Sequence, residues 1–284
     1  MTGSPSPVGV VVLTRGRRDR VLETLDRLAE LPEQPEIVVA DNASRDGTPH
    51  AIERRHPRVR VLRLRRNLGA GGRNAGVRAL DSDLAAFSDD DSWWAQGALA
   101  AAGEAFAARG SLGLLQARIL VGPEARLDPS CAAMARSPLR GAAGLPGPAL
   151  LGFVACGAIV RRNAFLDAGG FNIRFGIGGE ERLLALDLAA SEWELAYVDS
   201  IVAHHHPNPG ARPGRRARII RNDLWTVWLR RRLPGAAVAT ARIAADAARE
   251  RTPGALVEAV RGLPWVLPRR RPLPRSLDRA AGLV

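Results

Sequence analysis

Apolar residues fall in short blocks along the first half of the chain, each stopped by a polar turn. Residues 8–14 are too uniformly apolar for a strand with one wet face and predict a buried parallel strand. After a basic turn from Arg15 to Arg20, Val21, Leu22, Leu25 and Leu28 recur at helical spacing up to Leu31 and Pro32. A second apolar block at 36–40 ends in Asp41 and a turn through Thr48, and a short helix should follow through Ala51, Ile52 and Arg55. A third strand at 59–64 runs into a glycine-rich segment, Asn67 to Gly76, that opens a helix over 77–80. A fourth strand, Ala85-Ala86-Phe87-Ser88, runs into three carboxylates, Asp89, Asp90 and Asp91, followed by Trp93 and Trp94.

Four strands alternate with three helices, the pattern of a doubly wound parallel sheet, and ligands of such sheets bind beyond the carboxyl ends of the strands. Those ends carry Thr14 and Arg15, Asp41, the glycine-rich segment and the acid trio. Adjacent carboxylates about 5 Å apart repel by roughly 3 kcal/mol at an effective dielectric near 20. A trio at a strand mouth therefore calls for a hard cation or arginines, or else it is an acidic turn in solvent. Convergence of four segments on one edge favours the functional reading.

Periodicity weakens later. A helix at 98–108 and a strand at 112–120 precede a Gly/Pro/Ala-rich stretch, 121–150, of the kind that forms a lid or a substrate loop. A strand at 152–160, a helix at 164–168 ended by two glycines, a helix from Glu180, and a strand at 193–202 reaching His204, His205 and His206 complete this part. After Pro207, Ile220, Leu224, Val227 and Trp228 mark an amphipathic helix, followed by alanine-rich helices at 236–251 and 255–262 and an arginine- and proline-rich end.

The chain has 284 residues, a net charge of +12 and 41 basic residues, all of them arginine. Lysine-free, Ala/Gly/Pro/Arg-rich usage is the mark of a GC-rich genome, so only part of the charge speaks for an anionic partner. Cys131 and Cys156 are too few for a disulfide framework and read as reduced thiols. No apolar stretch reaches about 20 residues, so no transmembrane helix is expected, and nothing resembles a signal peptide. A cytoplasmic protein is expected.

Each motif also has a plainer reading. In the glycine-rich segment, Asn67, Gly72 and Arg73 suit nucleotide contact at a helix N-terminus, although Asn74 stands where a dinucleotide fingerprint needs its third glycine. Asp41 is a nucleotide ligand or a turn cap. Glu180 and Glu181 are a base at the cleft mouth or two acids favoured by a helix dipole. His204 and His206 face one way and His205 the other, as metal ligands or as a solvated strand end.

The order of these segments resembles family 2 glycosyltransferases, with rhamnosyl- or galactosyltransferase-like bacterial members the nearest in pattern. The match runs over about 8–206 through Thr14-Arg15, Asp41 to Thr48, Asn67 to Gly76, Asp89 to Asp91, Gly169-Gly170-Phe171, Gly179-Glu180-Glu181 and the histidines. The resemblance implies an α/β fold of the GT-A type, a Rossmann-like, mostly parallel sheet flanked by helices. The catalytic domain would span 1–206, and a C-terminal helical extension 207–284. It implies inverting transfer from a UDP- or dTDP-linked sugar to a glycan or lipid-linked acceptor. Asp41 and Arg73 would hold the base, with Thr14, Arg15, Asn67, Gly72, Asp89 and Asp90 around the nucleotide. Asp91 with His204 or His206 would bind Mg²⁺ or Mn²⁺. Glu181 would be the base, with Glu180 as rival, because the family's usual aspartate is replaced. Trp93, Trp94 and Phe171 would be acceptor platforms or ordinary core.

Two further readings accompany this one. Trp225, Trp228 and Trp265 near two arginine triplets suggest either helices resting on the inner face of a membrane or an appendage packed on the catalytic domain. A nucleotidyltransferase could use the same acids. A nucleic-acid binder is disfavoured, because the arginines are spread along the chain and the acid trio repels phosphate.

Overall fold

The computed structural model describes residues 8–207 and 214–284. Its strands are β1 (Val8–Thr14), β2 (Ile37–Asp41), β3 (Arg60–Arg63), β4 (Leu84–Asp89), β5 (Ser92–Trp94), β6 (Leu112–Val121), β7 (Arg126–Leu127), β8 (Ala158–Arg161) and β9 (Glu194–His205). They form one sheet in the order β3-β2-β1-β4-β8-β6-β9-β5, with β7 paired to β6. β1, β2, β3 and β4 are mutually parallel through βαβ crossovers, made by helices α1 (Arg18–Ala29), α2 (Thr48–Arg55) and α3 (Gly72–Ala79). β8 then runs antiparallel to both β4 and β6, and β5 antiparallel to β9. Parallel pairing thus governs the first half, where helices supply the crossovers, and the second half is mixed, with β6 and β9 parallel between antiparallel neighbours.

The remaining helices are α4 (Ala98–Ala108), α5 (Pro129–Met134), α6 (Arg162–Asp167), α7 (Glu180–Ala190), α8 (Arg215–Arg230), α9 (Leu233–Arg249), α10 (Pro253–Arg261), α11 (Leu263–Val266) and α12 (Arg275–Ala280). The sheet is apolar on both faces. One carries Val10, Val12, Leu25, Leu28 and Trp94, the other Val11, Val77, Phe87, Phe165 and Phe171. The strand expected over 152–160 is reduced to Ala158–Arg161. The preceding backbone is drawn into a tight 3₁₀ turn, Ala155–Gly157, by the buried Gln116, whose amide accepts from Val154 N at 2.7 Å and donates to Gly157 O at 3.1 Å. The stretch 121–150 is not wholly irregular: it holds β7 and α5.

The helices beyond residue 213 share a core with the loop and helix before them: Phe175 and Leu183 pack with Ile220, Leu224, Trp225 and Val266. Trp225 and Trp265 meet at 5.1 Å between ring centroids, and Trp225 Nε1 donates to Ala259 O at 3.0 Å. Arg230 pairs with Asp187, and Arg231 with Asp278. These contacts describe a packed appendage, in which the indole rings bury apolar area against their neighbours.

Candidate active site

The acid trio sits where β4 leaves the sheet. Asp90 turns down into the protein: Thr14 Oγ1 donates to its carboxylate at 3.1 Å, Arg17 pairs with it, and Thr24 Oγ1 donates to its carbonyl at 2.9 Å. Burial pushes its carboxyl up to about 7, against the pull of Arg17 and with the help of Asp91 and Asp89. Asp91, only 3% exposed, faces Arg17 at 3.0 Å and His205 Nε2 at 3.4 Å. Burial would raise its pKa, but the His205 hydrogen bond and the charges of His205 and Arg17 outweigh it and hold it below the ordinary value.

The histidines alternate as expected, and the one turned toward the acid trio is His205, whose Nε2 lies 3.4 Å from Asp91, whereas His204 and His206 face the other way. β5 and β9 pair Ser92 with His205 and Trp93 with His204. His204 and His206 lie against the Trp93 ring, at 5.6 and 4.6 Å between centroids, with Arg27 over the same indole at 4.2 Å. Of the aromatics read as acceptor platforms or core, Trp94 and Phe171 take the core place, each 1% exposed, Phe171 against Phe87 and Phe165.

The glycine-rich segment is bent by side chains rather than by glycines alone. Asn42 accepts from Leu68 N at 3.1 Å and donates to Gly69 O at 2.9 Å, while Asn67 accepts from Gly69 N at 2.9 Å. Gly69, at φ +58, lies so close to Gly176 that a Cβ would stand 2.5 Å from its backbone, and Ala70 N donates to Gly176 O at 2.8 Å. The segment is thereby joined to the loop before α7. Arg73, buried, pairs with Asp89, and its Nε has no partner among the described residues. Asp41 spends its carboxylate on Ser44, and Gly72 packs on Leu13 and Asn42, so neither lines the cleft.

Glu180 and Glu181 open α7 behind two glycines of positive φ. Glu180 is 2% exposed and accepts from Gly178 N; burial and then the charge of Glu181 push it up to about 8. Burial raises Glu181 too, with Arg73 opposing. The loop is fixed from behind by Asn222 of α8, which donates to Phe175 O at 2.9 Å and Gly178 O at 2.6 Å.

A cleft of about 410 Å³ gathers Thr14, Arg15, Asn67, Arg73, the three aspartates and both glutamates. Sequence reasoning missed its other polar walls: Arg17, Asn42, Arg215 and His205. Cys156 also lines it, and the Cys156 Sγ, an Asp89 oxygen and a His205 ring nitrogen all lie within 4.8 Å of one another, a set of donors able to hold a divalent cation. A second groove of about 600 Å³ adjoins, lined by Met134, Pro138, Leu150, Leu151 and Phe153, and Glu181 borders both spaces.

An acid cluster at the carboxyl edge of the sheet faces a carboxylate pair at the start of α7, with the basic and polar walls of the cleft between them. The model of the family "Glycosyl transferase family 2" matches residues 9–168, and the chain belongs to that family. It is a glycosyltransferase. The chain is 28% identical over 238 residues to N-acetylglucosaminyl-diphospho-decaprenol L-rhamnosyltransferase of Mycobacterium tuberculosis, covering 70% of this chain and 75% of the relative. Among solved structures, the mannosyltransferase PcManGT from Pyrobaculum calidifontis, in complex with GDP-Man and Mn²⁺, superposes with a TM-score of 0.59 at 20% identity, over 99% of this chain and 87% of its own. S. aureus TarS 1-349 in complex with UDP gives 0.59 at 16%, over 78% and 65%. These likenesses show the fold.

Proposed function

We propose that the chain is an inverting glycosyltransferase that moves a sugar from a nucleoside-diphosphate donor to a hydroxyl of a lipid-linked or other glycan acceptor. The position of Glu181, on the wall between a charged cleft and an apolar groove, carries this reading. A base there faces the donor's anomeric carbon on one side and the acceptor on the other. Glu181 takes the proton of the acceptor hydroxyl as its oxygen bonds to the anomeric carbon, and the bond from that carbon to the diphosphate breaks on the opposite face. Glu180 serves as a positioning residue, because its carboxylate already holds Gly178 N.

Arg73, with its unpartnered Nε, and Arg15 and Arg215 at the rim supply the guanidinium donors that a diphosphate takes in pairs. Thr14, Asn67, Asp89 and Asp90 shape the nucleotide side, and Asp41 does so indirectly through the turn it holds at Ser44. Asp89 and His205, with Asp91 against His205, are the residues that would hold Mg²⁺ or Mn²⁺. When bound, the cation offsets charge growing on the leaving diphosphate. The relative named for rhamnosyl transfer onto a diphospho-decaprenol supports a lipid-linked acceptor, and the apolar groove suits its chain. Residues 1–206 act as the catalytic domain and 207–284 as an extension that buttresses the glutamate loop.

A peripheral membrane contact is favoured by Val257 and Val260 of α10, 50% and 63% exposed, with Arg261 beside them. No helix among the described residues is long and apolar enough to cross a membrane. The reading is tested by binding of UDP, dTDP and GDP with and without Mn²⁺ to the wild type, Asp89→Asn and Asp91→Ala. Metal-dependent binding lost in Asp89→Asn is expected. Equal binding in all three, or none, would remove the cleft's role.

A further inference from the structure

We infer that Cys156 is a ligand of the cation site, so that this chain presents an oxygen–nitrogen–sulfur set from Asp89, His205 and Cys156 to a thiophilic divalent metal. The inference rests on the reading of the cleft as a cation site and adds a ligand to it. Three observations carry it. The Sγ of Cys156, an Asp89 oxygen and a His205 nitrogen lie within 4.8 Å of one another. The thiol is 3% exposed yet lines the charged cleft. Its backbone is held in place: Gln116, wholly buried, donates to Gly157 O and Ala117 O and accepts from Val154 N, bracing the turn that carries Cys156. Gly157 allows that approach, since a Cβ there would stand 2.6 Å from Ile119 and 2.7 Å from the Gln116 amide.

The second cysteine is built differently. Cys131 accepts from Ile119 N at 3.2 Å and donates to Ala117 O, and it belongs to no group of converging metal donors among the described residues. Packing alone explains Cys131. A small thiol placed between a carboxylate and an imidazole has a chemical use.

Thiolate and imidazole donors favour Zn²⁺ and Co²⁺ over Mg²⁺, which prefers oxygen and retains its waters. Binding forms a metal–sulfur bond as the Cys156 thiol gives its proton to solvent. The site should therefore rank Zn²⁺ and Co²⁺ above Mn²⁺, and Mn²⁺ above Mg²⁺.

The full chain is titrated with Co²⁺, with and without UDP or dTDP, and the near-ultraviolet thiolate-to-cobalt charge-transfer band is recorded. Calorimetry follows Zn²⁺, Mn²⁺ and Mg²⁺ in parallel. The band is expected in the wild type and in Cys131→Ser, and absent in Cys156→Ser and Cys156→Ala. Zn²⁺ affinity in the Cys156 variants should fall at least as far as the roughly 10–100-fold seen on losing an outer-shell partner, with Mn²⁺ affected less. Because the wild-type band is itself the primary readout, misfolding of a variant leaves the test intact. Co²⁺ bound in the wild type without the band, or with a band lost in Cys131→Ser instead, would overturn the role of Cys156 and leave the cation site standing. No divalent binding at all, or binding unchanged in Asp89→Asn with His205→Ala, would overturn the site and the inference with it.

Discussion

Arg73 and Asp89 form an ion pair across the cleft in which the guanidinium is 4% exposed and the carboxylate 35%. The arginine is thus held in place by a partner that solvent, a ribose or a cation can still reach. On the proposed function, a ligand that draws Asp89 away would free Arg73 toward the diphosphate.

Arg73→Lys should lower kcat/KM by about 10²-fold or more, because a point charge cannot serve Asp89 and phosphate oxygens together. Donor affinity measured by calorimetry should fall alongside it. A variant with wild-type donor affinity would mean that the guanidinium only packs on Phe171, over which it sits at 5.7 Å.

The two glutamates should separate kinetically. Glu181→Gln is expected to lose roughly 10²–10⁴-fold in kcat while donor binding stays intact. Glu180→Gln can still accept from Gly178 N and should retain much more activity. Steady-state rates with saturating donor make the comparison, and equal losses would leave the base unassigned to Glu181.

Glu180 also sets a pH dependence of stability. Its pKa is about 8 in the folded chain, where burial and Glu181 favour the neutral acid, against an ordinary 4.5. Between those values the folded state holds a proton that the unfolded state has released, so stability is full below about pH 4.5 and declines as pH rises through about 8. Asp90, at about 7 in the fold, adds a decline in the same direction. Thermal melts of the ligand-free protein from pH 5 to 8.5 should show Tm falling, and Glu180→Gln should flatten that slope. A Tm that rises over this range would contradict the buried neutral acid.

Asn222 is wholly buried in α8, yet both its amide hydrogen bonds hold the loop that presents the glutamates. Asn222→Ala should cost about 1–3 kcal/mol, chiefly through the Gly178 carbonyl it strips of its partner, since Phe175 O still accepts from Arg221 at 3.0 Å, and lower kcat more than donor affinity. Denaturant unfolding and calorimetry separate the two effects.

Phe171→Ala should behave as a core deletion, costing about 3–5 kcal/mol, with no selective rise in acceptor KM. Chemical denaturation measures the first and rate curves the second. A variant of wild-type stability with a raised acceptor KM would return Phe171 to the acceptor site.

Much of this molecule can be read from its pattern of residues. Uniform apolar blocks alternating with helical spacing determine the βαβ half, because a strand buried on both faces tolerates no polar alternation. Asp89 to Asp91 declare a site because such repulsion at a strand mouth needs compensation. The chain's motif order carries the family. What the chain could not reveal is which neighbour completes each charge. On β9 the register slips between Val198 and Val202 against adjacent residues of β6, so face parity cannot be counted from the strand's start, and His205 rather than His204 or His206 meets Asp91. Arg17, Asn222 and Cys156 carry no local signal, since each acts across a separation that only folding closes. The sequence by itself determined where the carboxylates would gather. Tertiary structure alone decided their partners, because counter-charge, desolvation and ligand geometry depend on distances of a few ångströms between residues far apart in the chain.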